Sequence, residues 1–302
     1  MSSSFLPALD AFLRKSLSNH PEQAHLAIFD CDGTVIQGDI GEAMFFRQVQ
    51  EFQFRTSPAN VWPDHPKPDE LNNLYESLSS LPQQKRALDR RFVPFTQMLL
   101  SWYFDQLADG ETAKACGDIV GLLAGFSQRE ARVLARTALR AELDAPVGKR
   151  QIGKFTLPLG VRYIQETLDA IARLKNLGFE VWAISGSNQW AVEAVFEHAG
   201  IPHERVIGIS LLESEGVLSS QVKRPIPVLE GKIDAIKERT LQIPLLVFSD
   251  STFDMPLFGY ASEMKVLINS RHESSEHFFS SGGGTRDSSW IVLERPTLVM
   301  NG

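Results

Sequence analysis

Residues 26–34 read Leu-Ala-Ile-Phe-Asp-Cys-Asp-Gly-Thr, an apolar run that passes directly into a polar loop. Consecutive apolar residues without alternation are typical of a strand buried on both faces, as in a parallel sheet. Asp30 and Asp32 follow where this strand would end, and Gly33 lets the backbone turn sharply. The segment therefore predicts a buried strand with two carboxylates at its carboxyl end.

Similar apolar blocks recur towards the C-terminus, and helical patterns separate them. The blocks cover residues 179–184, 206–212, 245–248 and 265–268. The helical patterns cover residues 161–177, 189–199 and 231–241, and a further helix is predicted over residues 5–17. Strands that alternate with helices indicate right-handed βαβ units. We expect an α/β fold with a Rossmann-like, doubly wound parallel sheet.

Residues 41–155 differ from the rest because they contain no strand-like block. Their patterns predict helices over residues 41–54, 69–79, 82–107, 111–124 and 128–143. An all-helical insert between the first strand and the remaining sheet is best interpreted as a cap domain. We therefore predict a discontinuous core of residues 1–40 and 156–302 and a helical cap of residues 41–155. The Ser- and Gly-rich segment 274–289 is expected to be mobile.

The composition is that of a globular protein and excludes disordered, collagen-like and coiled-coil classes. Of the 302 residues, 43% are apolar and 22% are charged. The 30 basic and 37 acidic residues give a net charge of −7, without a run of five like charges. We therefore expect neither a nucleic acid nor an anionic membrane as a partner, and an anionic substrate would need a local positive site.

Two cysteines, Cys31 and Cys116, are too few for a disulfide framework and lack the spacing of zinc ligands. Residues 1–20 contain no long apolar stretch of the kind found in a signal peptide. The longest apolar-rich uncharged stretch, residues 92–104, is interrupted by Pro94 and too short to span a bilayer. The expected location is cytoplasmic.

The paired acids Asp30 and Asp32 suggest phosphoryl chemistry. Two carboxylates at one strand end repel each other unless a cation compensates, and Mg²⁺ prefers such oxygen ligands together with phosphate. Asp30 could attack phosphorus while Asp32 protonates the leaving oxygen and later activates water. The alternative is a solvated turn, because Asp-Gly-Thr is common turn sequence.

Three later positions offer matching groups. The sequence Ser185-Gly186-Ser187-Asn188 supplies a hydroxyl and main-chain N–H groups for phosphate oxygens, or else an ordinary helix N-cap. Lys232 could neutralise the nucleophile and the phosphate, or else be solvated. Asp250 and Asp254 could complete a metal site, or else begin another helix.

Taken in chain order, these residues resemble the four motifs of the haloacid dehalogenase (HAD) superfamily of phosphotransferases. The motif residues are Asp30, Asp32, Ser185, Lys232, Asp250 and Asp254. The resemblance covers residues 26–268 and implies that Asp30 is the nucleophile and Asp32 the general acid and base. It implies that Ser185 and Lys232 hold phosphate. The implied magnesium site consists of Asp30, the main-chain carbonyl of Asp32, and Asp250, with Asp254 in support.

Two details refine the resemblance. Asp32 favours phosphate chemistry, since the dehalogenases proper lack this second acid. Ser249, by contrast, stands where the fourth motif usually has Gly. The insert resembles the helical cap of the phosphoserine-phosphatase-like branch. The sequences of residues 38–43 and 187–190 are similar to the phosphorylcholine phosphatases and to uncharacterised relatives.

The predicted substrate contacts are Glu42, Gly186 and Trp190. A helix after Gly41 would carry Glu42 in its first turn, where a carboxylate also gains from the helix dipole without any function. If Glu42 instead points into the site beside Phe45, Phe46 or Trp190, it would meet a substrate cation such as quaternary ammonium.

These observations predict a magnesium-dependent phosphomonoester hydrolase that acts on a small phosphorylated metabolite through an aspartyl-phosphate, with phosphocholine favoured. The alternatives are a phosphoserine or other small-alcohol phosphatase, transfer to a second acceptor, and a catalytically silent binding protein. The oligomeric state is left open.

Overall fold

The structure is a computed structural model and describes residues 5–19, 25–269 and 275–294. The predicted domain limits at residues 1 and 302, and Ser274 at the start of the Ser- and Gly-rich segment, lie outside these ranges. Within the described ranges, no helix is both long enough and apolar enough to cross a bilayer.

The elements alternate along the chain much as the sequence predicts. In chain order the strands are β1 (Leu26–Phe29), β2 (Ile36–Gln37), β3 (Gly148–Ile152), β4 (Phe155–Leu159), β5 (Arg162–Tyr163), β6 (Glu180–Asn188), β7 (Val206–Ile209), β8 (Leu211–Ser214), β9 (Val217–Val222), β10 (Leu246–Ser249), β11 (Met264–Asn269) and β12 (Trp290–Glu294). The α-helices are α1 (Phe5–Asn19), α2 (Ile40–Gln50), α3 (Pro58–Val61), α4 (Pro68–Ser79), α5 (Gln83–Arg86), α6 (Phe92–Ala108), α7 (Thr112–Gly121), α8 (Gln128–Asp144), α9 (Gln165–Asn176), α10 (Gln189–Glu197), α11 (Gly231–Lys237), α12 (Met255–Tyr260) and α13 (Ser275–Ser280). Short 3₁₀ turns cover His203–Arg205 and Thr252–Asp254.

Six parallel strands form the central sheet in the order β12-β11-β10-β1-β6-β7. The first strand is central: Phe29 lies opposite Phe248 of β10 on one side and Ala183 of β6 on the other. The chain fills one side of the sheet with β6 and β7 before it crosses to β10. This reversal of direction leaves a crevice at the carboxyl ends of the central strands, where open α/β sheets bind ligands.

Helices cover both faces of the sheet, which confirms the predicted doubly wound arrangement. Successive residues of β1 point to opposite faces of the sheet, so residues two apart share a face. Ala27 and Phe29 join a core with α1, α9 and α10. Leu26 and Ile28 face the opposite core, which α11, α12 and α13 complete. The near-continuous apolar run of β1 follows from this burial on both faces.

The insert has its own apolar core, centred on side chains such as Phe46, Trp62, Phe95 and Leu99. Helices α2, α4, α7 and α8 agree with predicted helical segments, whereas residues 82–107 form two helices, α5 and α6, and the short α3 lies where no helix was predicted. Pro94 lies in the first turn of α6, where its missing N–H costs no helical hydrogen bond.

The insert is not entirely helical, contrary to the prediction. Strands β3 and β4 form an antiparallel hairpin, and the predicted domain limit between residues 155 and 156 falls inside β4. Gly153, with φ of 58°, begins its turn. The hairpin has few apolar residues, so no strand-like block marks it in the sequence.

Two further stretches differ from the predictions. Residues 206–212 form not one strand but β7 of the central sheet followed by β8, which pairs with β9 in a separate hairpin. Residues 275–280 of the segment expected to be mobile form α13. Phe278 of this helix is buried against Trp290 of the edge strand β12, with ring centroids 5.8 Å apart.

Candidate active site

The carboxyl ends of three neighbouring strands and the first cap helix enclose one cavity of about 170 Å³. Strand β1 leads into Asp30 and Asp32, β6 carries Ser185 and Ser187, and β10 leads into Asp250. The cap contributes Glu42 and Tyr103, among other residues. Of the predicted site residues, all except Trp190 line this cavity: Asp30, Asp32, Glu42, Ser185, Gly186, Lys232, Asp250 and Asp254.

A buried ammonium group joins two carboxylates at the floor of the cavity. Lys232 Nζ donates to Asp30 Oδ1 at 2.7 Å and to Asp254 Oδ2 at 2.8 Å. The Ser249 hydroxyl donates to the same oxygen of Asp254 at 2.6 Å. Ser249, which replaces the usual glycine of the motif, therefore helps to hold Asp254. This arrangement excludes the alternative in which Lys232 is merely solvated.

The electrostatics of this group follow from its burial. Burial raises the pKa of Asp30 to about 8; Lys232 opposes the rise, and Asp254, Asp250 and Asp32 add to it. Although burial lowers it, the carboxylates of Asp254 and Asp30 raise the pKa of the Lys232 ammonium above its ordinary value. Lys232 thus stays charged, and it favours the anionic form of the proposed nucleophile.

Asp32 is held differently, by hydroxyl and amide donors. Its Oδ2 accepts from Ser187 Oγ at 2.7 Å and from Ser185 Oγ at 3.0 Å. Its Oδ1 accepts from the main-chain N–H of Ile40, the first residue of α2, at 2.7 Å. Burial, and then Asp39, raise the pKa of Asp32 to about 7, and the three donors oppose the rise. A carboxyl group with a pKa near neutrality suits general acid and base catalysis.

Ser187 was not among the predicted site residues. It follows Ser185 by two positions on the same strand, so both hydroxyls reach the same side. From that spacing, Ser187 could have been predicted as a site residue. Gly41 is also needed here, because a Cβ atom at this position would lie 2.4 Å from Ser187 Oγ.

Glu42 lies in the first turn of α2, as predicted, and lines the cavity. Asp39 caps the helix by accepting from Glu42 N at 2.7 Å. The Tyr103 hydroxyl donates to Glu42 Oε1 at 2.9 Å. Burial raises the pKa of Glu42, the Tyr103 hydroxyl opposes this, and Asp32 adds to it. Glu42 is therefore a partner for groups inside the cavity rather than a solvated end of a helix.

The aromatic residues expected beside Glu42 lie elsewhere. Trp190 is only 2% exposed and packs in the core between the sheet and its helices, outside the cavity lining. Phe45 and Phe46 belong to the core of the cap. The predicted substrate contact with Trp190 is therefore wrong, because α10 turns that side chain inward. The aromatic rings that line the cavity are those of Tyr103 and Phe253.

The oxygen donors at the carboxyl edge fit a magnesium ion. Gly33, with φ of 75°, lies so close to Asp250 that a Cβ atom there would be 2.1 Å from Asp250 Oδ2. The Asp250 carboxylate is thus packed against the loop that carries Asp30 and the Asp32 carbonyl. Mg²⁺ usually takes one or two carboxylates and completes its shell with water and phosphate. Among the described residues no group of three acidic, His or Cys side chains forms a metal cluster, and this donor set does not need one.

Asp254, included among the predicted metal ligands, has Oδ2 engaged by Lys232 and Ser249. Its support for a metal would therefore be indirect, through the position of Lys232.

A family model of haloacid dehalogenase-like hydrolases matches residues 27–259. The chain belongs to this family. The HAD-like match spans β1 to α12 and so includes every motif residue described above. The predicted enzyme class is thus confirmed at the level of a HAD-like hydrolase.

Known relatives of this HAD-like hydrolase agree with the assignment. A phosphoserine phosphatase from Halobacterium salinarum is 27% identical over 180 residues, which cover 54% of this chain and 82% of that protein. A conserved protein of unknown function from Anaerococcus prevotii has a similar structure, with a TM-score of 0.71 and 16% identity over 92% of this chain and 90% of that one. A protein of unknown function from Bordetella pertussis has a TM-score of 0.54 and 14% identity over 90% of this chain and 99% of that one. At these identities the two structures support the fold alone.

Proposed function

We propose that this chain is a magnesium-dependent phosphomonoester hydrolase that acts on a small phosphorylated metabolite through an aspartyl-phosphate on Asp30. One observation carries the proposal: two carboxylates in one cavity, Asp30 buried and Asp32 half-buried, are held by different partners. Asp30 is paired with the Lys232 ammonium, whereas Asp32 accepts from hydroxyl and amide groups. This division suits one carboxylate as nucleophile and the other as acid and base.

The side chains of Asp30 and Asp250 and the main-chain carbonyl of Asp32 would hold Mg²⁺. When bound, the ion would neutralise charge on the phosphoryl oxygens.

The proposed reaction has two steps. In the first, an Asp30 oxygen forms a bond to phosphorus as the bond to the leaving oxygen breaks, and Asp32 donates a proton to that oxygen. In the second, Asp32 takes a proton from water, whose oxygen attacks phosphorus and releases Asp30 and inorganic phosphate. Lys232 stabilises negative charge on the phosphoryl group throughout. The main-chain N–H of Gly186 would be a further donor for the phosphate, and the Ser185 hydroxyl would become one by turning away from Asp32, to which it donates in this structure.

The charge of the cavity supports a substrate with a cationic alcohol. Lys232 supplies the one basic side chain among the described residues that line it, and Lys232 already has two carboxylate partners. Asp39 and Glu42 add negative charge on the cap side. An alkylammonium group would meet Glu42 and the rings of Tyr103 and Phe253, which attract it by charge and by cation–π interaction. Phosphocholine fits this description.

Phosphoserine is the second candidate, and the relative from H. salinarum favours it. Its ammonium group would suit Glu42, but its carboxylate would require a basic partner besides Lys232. The net charge of −7 favours a small molecule over a nucleic acid as the partner.

The test is a panel of phosphate esters assayed with Mg²⁺: phosphocholine, phosphoserine and p-nitrophenyl phosphate. We expect hydrolysis of all three, with kcat/KM highest for phosphocholine. A higher kcat/KM for phosphoserine would reverse the order of the candidates. No hydrolysis of any ester, together with retained binding of phosphocholine, would instead identify a silent binding protein.

A further inference from the structure

A second cavity, of about 450 Å³, lies in the cap and shares no lining residue with the active-site cavity. Its walls come from the loop that follows α2, from α5, and from the first turns of α8. Three arginines line it, Arg55, Arg86 and Arg129, together with one acidic residue, Glu130. In a chain of net charge −7, this concentration of positive charge is an exception.

The single carboxylate of the cavity is already satisfied. Glu130 Oε1 accepts from Arg55 Nη2 at 2.7 Å. Its Oε2 accepts from the N–H and the hydroxyl of Ser127, both at 2.9 Å, as part of the capping box that begins α8. Arg55 and Glu130 thus cancel in charge. Arg86 and Arg129 leave two positive charges without a compensating acid in the cavity lining.

Two of the guanidinium groups are held in place before any ligand binds. Arg86 lies over the ring of Phe52 at 5.1 Å and donates to the carbonyl oxygens of Leu81 at 3.1 Å and Ser79 at 3.2 Å. Arg55 lies over the ring of Phe126 at 5.2 Å. Because these side chains are ordered by their rings and hydrogen bonds, an anion that binds them would restrict little further motion.

One face of α8 completes the cavity with a charge and an apolar side chain. Arg129 and Val133 are four residues apart and therefore lie on the same side of the helix. The side chain of Arg129 makes no hydrogen bond or ion pair with any residue in the described part of the chain. Val133 is 57% exposed. An exposed valine beside unpaired positive charge favours a ligand that is anionic at one end and apolar at the other.

We propose that this cavity binds a small organic oxyanion, a carboxylate or a phosphoryl group attached to an apolar or aromatic body. Guanidinium groups bind both kinds of oxyanion through paired N–H donors. The volume lies within the range of small-molecule sites. The site adjoins the C-terminal end of α2, the helix whose first turn carries Glu42. It is independent of the function proposed above.

The test is calorimetric binding to the full chain without divalent metal, with phenylphosphonate and benzoate as the probes. A phosphomonoester hydrolase does not cleave the carbon–phosphorus bond of phenylphosphonate, so this probe is not a substrate. The test variants are Arg129→Gln and Val133→Glu, both at positions without a structural contact that folding requires. Arg140→Gln is the matched control, because Arg140 lies on the same helix, is 86% exposed and is outside the cavity.

We expect at least one probe to bind the unmodified chain, and both test variants to weaken that binding at least tenfold. Arg140→Gln should bind as the unmodified chain does, and Arg129→Gln should keep its kcat and KM for phosphate esters. The probe that binds more tightly identifies the oxyanion. Equal affinities in all variants, a matching loss in Arg140→Gln, or no binding of either probe would overturn the proposal.

Discussion

Each carboxylate of the active site has a role set by its immediate partners. Asp30 faces an ammonium, which favours its anionic form, and Asp32 faces two hydroxyls and an N–H group, which hold its carboxylate in place. The first arrangement suits attack on phosphorus, and the second suits proton transfer. Substitution of each acid should therefore block a different step of the proposed reaction.

Asp30→Asn should reduce turnover to background, because an amide cannot form the acyl-phosphate. Asp32→Asn should lower kcat by about 10²–10⁴-fold, the contribution expected of a general acid and base. It should also leave phosphorylated enzyme detectable by mass spectrometry after reaction with an ester that has a good leaving group. Turnover by Asp30→Asn at the normal rate would refute the proposed nucleophile.

Lys232→Met should lower kcat/KM well over tenfold, since Asp30 and Asp254 would then repel the phosphate. Removal of one partner from a buried ion pair also costs about 3–5 kcal/mol of folding stability. Urea denaturation would measure that loss, and steady-state kinetics the first. Lys232→Arg is the matched control: it keeps the charge but not the shape, and should restore stability more than activity. Normal kinetics in Lys232→Met would contradict both roles.

Glu42→Gln should raise KM for phosphocholine about tenfold and leave KM for p-nitrophenyl phosphate nearly unchanged. The lost attraction between the carboxylate and a partly buried cation is about 1.4 kcal/mol, which is a tenfold effect. Tyr103→Phe is the control, since it removes the hydrogen bond to Glu42 but keeps the charge and the ring. Equal changes for both esters would mean that Glu42 supports the cavity without contacting a substrate cation.

At the level of residues, the sequence predicts what the strand ends carry and places Glu42 at the start of the cap, but it does not predict the other cap residues that reach the site. Asp30, Ser185 and Asp250 could be placed because parallel strands end at one edge. Tyr103 could not, since it reaches Glu42 from another helix by tertiary packing. Trp190 was misplaced because helical spacing shows which residues share a face, not which face meets the site.

The elements that carry the acids and the cap meet at the start of α2. Ile40 N donates to Asp32 at this point, and Gly41 lets the helix approach β6 closely. An added Cβ atom at Gly41 would lie 2.4 Å from Ser187 Oγ, too close unless helix or strand moves. The first turn of the cap helix thus positions Asp32, the proposed general acid, as well as Glu42.

Gly41→Ala should therefore lower kcat at least tenfold and destabilise the fold by about 1–3 kcal/mol, the usual cost of overpacking. The decrease should be similar for all phosphate esters, because it acts through Asp32. Gly259→Ala, in α12 with open space around its Cβ position, is the control: it should leave kcat unchanged and should not lower the stability, because Ala favours a helix over Gly. Wild-type kinetics in Gly41→Ala would show that α2 and β6 do not need this close approach.

At the level of elements, the sequence predicts those with strong apolar periodicity. Five of the six strands of the central sheet have a continuous apolar run, and the long cap helices α6 and α8 have helical spacing. The edge strand β12 was not predicted. The hairpin β3–β4 has no such pattern, because it contains few apolar residues. Helix α13 was also missed, because its serine-rich composition indicates a mobile segment although Phe278 anchors it in the core.

Across the whole molecule, the cap packs on the core through α2 and α8, and main-chain hydrogen bonds link the two parts further. Strands β2 and β5, in the two connections between cap and core, pair antiparallel with Ile36 opposite Tyr163. On the other side, Leu218 of β9 exchanges main-chain hydrogen bonds of 2.8 Å with the cap loop: Leu218 N donates to Phe126 O, and Gly125 N donates to Leu218 O. Any movement of the cap must therefore carry the β8–β9 hairpin along or break these two bonds.

The acidic cluster between cap and core should also make the stability of the molecule depend on magnesium. Asp30, Asp32, Asp250 and Asp254 are compensated by Lys232 alone among the described basic residues that line the cavity. A divalent ion bound to the folded chain only should raise the free energy of unfolding by about 2.7 kcal/mol at one hundred times its Kd.

Chelation should then lower Tm and stop turnover without unfolding the sheet, whose core lies away from the cluster. Asp250→Asn should lose the magnesium-dependent rise in Tm, whereas Asp234→Asn, a matched change outside the active-site cavity, should keep it. A Tm that is independent of magnesium in the unmodified chain would contradict the proposed metal site.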